Sequence, residues 1–349
     1  MRSNFLDTSK TIIFSLLMLA VISQNKLTAQ QETQFTQYFQ NPFFFNPAAG
    51  GLTPFIQVDA GFRRQWLGIE GTPITFYATG HAEVGFLNGK KDVIQEYNRE
   101  KESIFATPKN FVGGAKHVMG GRMLSDRIGP FEKSSVMATY AYHLRATRTT
   151  MLGLGMGAGW TNFGIRSDKV ILYDEDDIAY NDFFARNANQ NIFDMNAGLT
   201  WYGERFQVGI ASSQLLSNGL VLEDVTTQSN LDRHWFLYGM YQYDVNDDFT
   251  LEPHAMLQIV GNAPVSANLG ARVIFNQRIW GNIGFRVGDA MTLGLGMNLA
   301  NNLRFGYTYD VGTGPVQVMS NNVHELHLGF IIGNNRNIEK ELKQKESDL

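Results

Sequence analysis

The chain has 349 residues, 29 of them basic and 33 acidic, for a formal net charge of −4. That length suits one large domain, and the absence of cysteine excludes a small disulfide-stapled fold. Charge spread without a basic block gives no sign of a nucleic-acid partner.

The first predicted element is an apolar run at residues 12–22, flanked by Arg2 and Lys10 and followed by Leu27-Thr28-Ala29, then Gln30 and Gln31. The run is about half of the ~20 apolar residues a membrane helix needs, so residues 1–29 read as a secretory signal peptide cut near Ala29. Residues 30–53 form a leader of another kind. It carries Phe35, Tyr38, Phe39, Phe43, Phe44 and Phe45 around two turns, Asn41-Pro42 and Asn46-Pro47. Proline lacks the ladder donor and restricts the residue before it, so this stretch makes no regular strand. Its rings nonetheless call for burial.

From residue 55 to 332 polarity alternates with a period of two. In the first segment Ile56, Val58, Ala60, Phe62 and Trp66 fall on one face, opposite Gln57, Asp59, Gly61, Arg63 and Gln65. In the second, 74–84, Ile74 and Phe76 oppose Thr75 and Tyr77. A weaker candidate at 111–118 follows, then 136–145, 152–160, 193–202, 205–211, 235–244, 249–260, 265–275, 279–287, 291–299, 303–311 and 323–332. About fourteen amphipathic strands without a helical period between them make either a large soluble sandwich or a closed, antiparallel transmembrane β-barrel.

Three features favour the barrel, placed over residues 54–332. The first is the export signal. The second is the position of Trp66, Tyr142, Trp160, Trp201, Tyr241, Tyr243, Tyr307 and Phe330 at the ends of apolar faces, where rings suit the two headgroup zones. The third is loop parity. If the first strand rises from the periplasm, connections 146–149, 203–204, 245–248, 276–278 and 300–302 are short periplasmic turns, and 120–130, 164–191, 212–233 and 312–322 are long outer loops. The expected location is the cell outer membrane, in contact with its lipids, with both termini periplasmic. The leader is then expected to pack inside or under the barrel as a partial plug.

The connection 85–110 breaks the parity. It holds Lys90, Lys91, Asp92, Glu96, Arg99, Glu100, Lys101 and Glu102, and is read as a periplasmic insert, either a short helix on the rim or a solvated segment. The tail 333–349 is similarly charged and similarly placed. Both are candidate docking surfaces.

Inward positions collect Asp59, Arg63, His81, Glu83, His143, Arg145, Asp194, Arg205, Glu252, His254, Arg272, Arg286, Arg304, Asp310, Glu325 and His327. Such mixed charges pair across the barrel or line a wet passage. Arg272, Arg286 and Arg304 would form a basic ladder opposite an inward-folded acidic loop, Asp174 to Asp177, in a general diffusion porin or small-molecule channel, the alternative reading. The same acidic run would suit calcium, but consecutive carboxylates lack the alternate spacing of a calcium loop. His324 and His327 point to opposite faces, so no shared zinc is expected, nor any cofactor. Ser135, His143 and Asp194 share the inward face and are the one hydrolase-like set. Glycines alternating with apolar residues at 152–159 read as small lumen-facing positions, since no lysine and helix follow as in a phosphate loop.

Several motifs carry a resemblance. They are Gln37-Tyr38, Asn41-Pro42 and Asn46-Pro47-Ala48; Arg63-Arg64-Gln65-Trp66-Leu67-Gly68-Ile69-Glu70-Gly71-Thr72-Pro73; and Ser125-Asp126-Arg127-Ile128-Gly129-Pro130-Phe131. Further matches are Tyr140-Ala141-Tyr142-His143-Leu144, Phe305-Gly306-Tyr307-Thr308-Tyr309-Asp310 and His324-Glu325-Leu326-His327-Leu328-Gly329-Phe330. In order and content these resemble the PorP/SprF family, outer-membrane proteins of the type IX secretion and gliding system of Bacteroidetes, over residues 34–330. The resemblance implies a non-catalytic barrel that helps secreted cargo proteins with a C-terminal sorting domain reach or stay on the cell surface. It also implies contact with periplasmic and outer-membrane components of the secretion machine. Family members usually carry a short turn where this chain has 85–110, and the charged tail moves any terminal assembly signal inward, to about 326–332.

Overall fold

The structure is a computed structural model that describes residues 34–53, 55–69, 71–87, 115–170, 189–217, 219–220, 229–261, 263–299, 302–313 and 322–332. Residues 1–29, expected to be a signal peptide, most of the 85–110 connection, the acidic run 174–177 and the tail 333–349 lie outside these residues.

After two single 3-10 turns in the leader, Pro42–Phe44 and Pro47–Ala49, the strands follow in chain order. They are β1 Ile56–Gln65, β2 Ile74–Glu83, β3 Lys116–Ile128, β4 Phe131–Arg145, β5 Thr150–Ile165, β6 Asn189–Gly203 and β7 Phe206–Ser213. A small ribbon, β8 Gly219–Leu220 with β9 Ser229–Asn230, sits in the next connection. Then come β10 His234–Tyr241, its continuation β11 Tyr243–Asp244, β12 Phe249–Val260, β13 Ser266–Phe275, β14 Ile279–Arg286, β15 Ala290–Leu299, β16 Leu303–Gly312 and β17 Asn322–Ile332.

Each strand pairs antiparallel with its neighbours, β10 meets β12, and β1 zips to β17 from Ile56↔Ile332 to Gln65↔Val323. With β10 and β11 as one strand, this closes a fourteen-stranded barrel without an edge. The interruption at Gln242 lies beside Pro253 of β12, which has no N–H to give to the β10 side; the register on either side of the break is the same.

Polarity runs inside out. Val58, Phe62, Phe76, Leu293, Leu295, Leu326 and Leu328 are exposed on the outer face, whereas Asp59, Arg63, Thr75, Thr79, Glu325 and His327 are buried within. A soluble sandwich would hide the first set; an apolar exterior closed around a polar interior is stable when lipid surrounds it. Rings gather on the outer face near both ends: Trp160 and Phe193 (centroids 5.3 Å apart) at one, Trp201 with Phe206 (4.8 Å) and Phe249 with Phe275 (4.9 Å) at the other. Tyr307 is not a strand-end ring: it lies midway along β16, its hydroxyl 2.7 Å from His324 Nδ1.

At one end the connections 146–149, 204–205, 245–248, 276–278 and 300–302 are all short. Three long ones, 166–188, 214–233 and 313–321, are at the other end, while the connection 84–115 between β2 and β3 is long at the end of the short turns and breaks the sorting. Residues 120–130 are not a long loop, however. All but the turn Gly129-Pro130 belong to β3, which starts at Lys116, inside the weak 111–118 candidate. Gly120 sits in mid-strand on the crowded inner face; a Cβ there would lie 2.6 Å from Gly80 O and 2.8 Å from Phe43 Cζ of the leader. At the start of the insert, β2 gives way to one helical turn, Val84–Leu87.

Candidate functional site: the occupied interior

The leader lies inside the barrel. Phe35, Tyr38, Phe39, Asn41, Pro42, Phe43, Phe44, Phe45, Asn46 and Pro47 are all buried. Its course runs opposite to β1. Thr36 sits level with Arg63, close to the β1 end that leads into the next connection, while Gly51 meets Lys116 at the start of β3. The even strand count puts the start of β1 and the end of β17 at one end of the barrel; the leader's first described residues lie toward the other.

Three stations hold it. At the first, the Glu325 carboxylate accepts the backbone N–H of Thr36 and of Gln37, each at 2.8 Å, and the Arg63 guanidinium at 2.9 Å. The Thr36 hydroxyl donates to Asp310 (2.8 Å) and accepts from Arg63 (3.0 Å) and Arg286 (3.1 Å). Arg63 and Arg286 also pair with Asp310, at 3.3 and 3.4 Å. All four charged groups are almost fully buried. Charges so placed are tolerable only because each has an opposite partner and a hydrogen bond.

At the second station the Tyr38 hydroxyl is 2.7 Å from His254 Nδ1, and His254 Nε2 is 2.8 Å from Asn282 Oδ1. Asn282 Oδ1 can only accept, so Nε2 carries a proton, and in the neutral ring Nδ1 accepts from the Tyr38 hydroxyl. Arg272 pairs with Glu252 at 2.6 Å and lies 4.9 Å over the Phe39 ring, a cation–π contact. Gln242 donates to the other Glu252 oxygen at 2.8 Å.

The third station is built from rings and glycines. Phe35 packs against Phe44 (4.9 Å) and Tyr77 (4.5 Å), Phe45 against Phe236 (5.1 Å) and Phe43 against His81 (4.7 Å). Asn46 Oδ1 caps the turn at Ala48 N–H, and its amide donates to Leu199 O and Thr200 Oγ1, each at 2.9 Å. Arg122 donates to Phe44 O (2.6 Å), Lys116 to Gly51 O, and Asn41 to Thr79 Oγ1 (2.9 Å). Beneath this turn the wall is glycine. A side chain on Gly155 would overlap the Ala48 backbone, one on Gly198 the Asn46 amide, and one on Gly153 would come within 2.9 Å of Ala48 O.

Of the charges read as inward, Arg63, Arg272, Arg286, Arg304, Asp310 and Glu325 are buried and paired, and Glu83 is half-buried. Arg304 meets Asp59 at 2.6 Å beside His327. Arg272, Arg286 and Arg304 therefore form no basic ladder, since each has a carboxylate of its own. Arg145 and Arg205 do not join the interior. Both are exposed at short turns, Arg145 donating to Thr147 O and Arg148 O, and Arg205 pairing with Asp244 at 2.9 Å. Ser135 and His143 lie eight residues apart on one strand, about 27 Å at ~3.4 Å per residue. Ser135 accepts from Thr161 (3.2 Å), and His143 bonds Tyr202 (2.8 Å), so no triad assembles. Sequence reasoning missed Thr36, Gln37 and Gly198 as contacts. The glycine alternation in β5 was the one visible signal for the seat.

A closed barrel with an apolar exterior and a polar, internally paired lumen defines a membrane-spanning protein of the outer-membrane type. The family model described as "Type IX secretion system membrane protein PorP/SprF" matches residues 27–330, and the chain belongs to that family. No curated protein matches it. Among solved structures it is similar to the toluene transporter TbuX of Ralstonia pickettii, with 8% identity over 82% of this chain and 91% of that one, at a TM-score of 0.46. It is also similar to the toluene transporter TodX of Pseudomonas putida (10%, 86% and 94%, TM-score 0.44) and to Omp33 of Acinetobacter baumannii (8%, 80% and 99%, TM-score 0.41).

Proposed function

We propose that this protein is a non-catalytic outer-membrane component of the type IX secretion and gliding machinery that assists export or surface attachment of specific cargo proteins bearing a C-terminal sorting domain. In this reading residues 34–53 are a plug, and the barrel serves as a membrane-anchored adapter rather than an open pore. The machinery role is supported by the family match, and the observation that supports the plug is the bidentate hold of Glu325 on the leader backbone, backed by the buried Arg63, Asp310 and Arg286. A diffusion porin needs its inward charges facing water, whereas here they are spent on one another and on the leader.

The long connections 166–188, 214–233 and 313–321 face the cell surface in this reading. The start of β1, the 85–110 insert and the tail 333–349 face the periplasm, where the two charged segments meet other secretion components. Residues 1–29 are the export signal.

Two measurements test the proposal. In planar bilayers the intact barrel conducts little, and deletion of residues 34–51 opens a steady conductance. Steady conductance of the intact barrel would instead support the porin. Pull-down from detergent extracts retrieves a large secreted protein together with periplasmic subunits; recovery of the barrel alone counts against the adapter.

A further inference from the structure

We propose that the interior is a peptide-binding site, with the leader as its tethered resident, and that it takes in trans an extended segment of the same chemistry: paired backbone N–H groups beside a small hydroxyl residue, followed by rings and an Asn-Pro turn. The proposal rests on the reading of residues 34–53 as a plug, and not on the cargo role.

The two ends of the leader are recognised by different means. Glu325 takes two consecutive main-chain N–H groups, Thr36 and Gln37, and Gln37 Nε2 reaches the Glu325 carbonyl at 3.2 Å. A carboxylate accepting adjacent backbone donors binds a chain whatever its side chains, and charge-assisted bonds of this kind are about twice as strong as neutral ones. The acids are neutralised from the wall by Arg63 and Arg286, so the clamp is complete before any peptide arrives. The other end reads shape. Ala48 and Pro47 press on Gly155, and Asn46 on Gly198, where only glycine leaves room; Asn46 is matched by Thr200, Leu199 O and the Tyr238 hydroxyl (3.2 Å).

Every hydrogen bond of the leader named here runs to a strand, so these contacts do not require the leader to be covalently continuous with β1. Strand pairing closes the barrel independently of it. A leader held in this way behaves as a ligand at high effective concentration, the case in which cutting the tether exposes the intrinsic affinity.

The test uses the full chain with a flexible protease site inserted between Leu52 and Thr53, folded in detergent, then cut and washed. The probe is a fluorescent synthetic peptide of residues 34–51, followed by anisotropy. The cut barrel binds it saturably and the uncut barrel does not, because its site is filled. Glu325→Gln in the cut barrel weakens binding about tenfold or more. Gly155→Val abolishes it while leaving the barrel folded, since the three atoms nearest to an added Cβ there belong to Pro47 and Ala48 of the leader. Equal binding to cut and uncut barrels, or wild-type affinity in both variants, overturns the proposal. So does a cut leader that leaves only when the barrel unfolds. A barrel that binds the peptide but retrieves no cargo sinks the adapter role alone.

Discussion

Along β12–β17 and β1 the inner wall meets residues 36–40 with charge, in the pairs Arg272–Glu252, Arg286–Asp310 and Arg63–Glu325. Along β2–β7 it meets residues 43–51 with glycine, rings and single hydrogen bonds. The first wall is largely self-satisfied, and the leader adds bonds to an ion network already closed. The second is complementary to one shape, and without the leader its glycines are simply empty. The charged wall should therefore punish loss of a partner, and the glycine wall should punish gain of volume.

Glu252→Ala is expected to have the largest effect. It strands Arg272 in a dry site and should cost about 3–5 kcal/mol, the usual range for half of a buried pair. Urea unfolding in detergent measures it; a loss near that of a surface substitution would mean that the charged wall is hydrated. Next comes Gly155→Ala, where one methyl overlaps Ala48 and should cost about 1–3 kcal/mol. Gly281→Ala is the control: an added Cβ there meets nothing within 4 Å, and equal losses at the two glycines would break the comparison. Tyr38→Phe removes the donor to His254 Nδ1 and should cost about 1–2 kcal/mol by the same assay. Arg205→Ala should change stability by less than about 1 kcal/mol, because its pair with Asp244 is half exposed on both sides.

The strands were legible because their signal is local. A two-residue alternation over 249–260, 279–287 or 323–332 needs no knowledge of any other strand, and those segments fall within about a residue of β12, β14 and β17. The reading failed where a tertiary neighbour changed the local rule. Gly120-Gly121 looks like a loop until Phe43 is seen to occupy the space above Gly120. Arg205 keeps the parity of an inward residue but lies in the turn before β7, where water is the better solvent for it. The leader's rings announced their burial, but nothing in residues 34–53 names Glu325, 289 positions away from Thr36, as the group that takes its backbone.

What the sequence determined by itself was the class of object: alternating strands with an apolar outside, parity in the connections, and a ring-rich segment unable to be a strand. Those are consequences of backbone geometry and solvent, and each is written within a dozen residues. Only the tertiary structure decided which carboxylate neutralises which arginine, and which glycines floor the seat of Asn46, Pro47 and Ala48. Those pairings join β1 to β16 and β17, and the leader to strands across the whole chain. They exist only once closure has brought residues hundreds of positions apart into one polar interior, where each buried charge must find its counterpart.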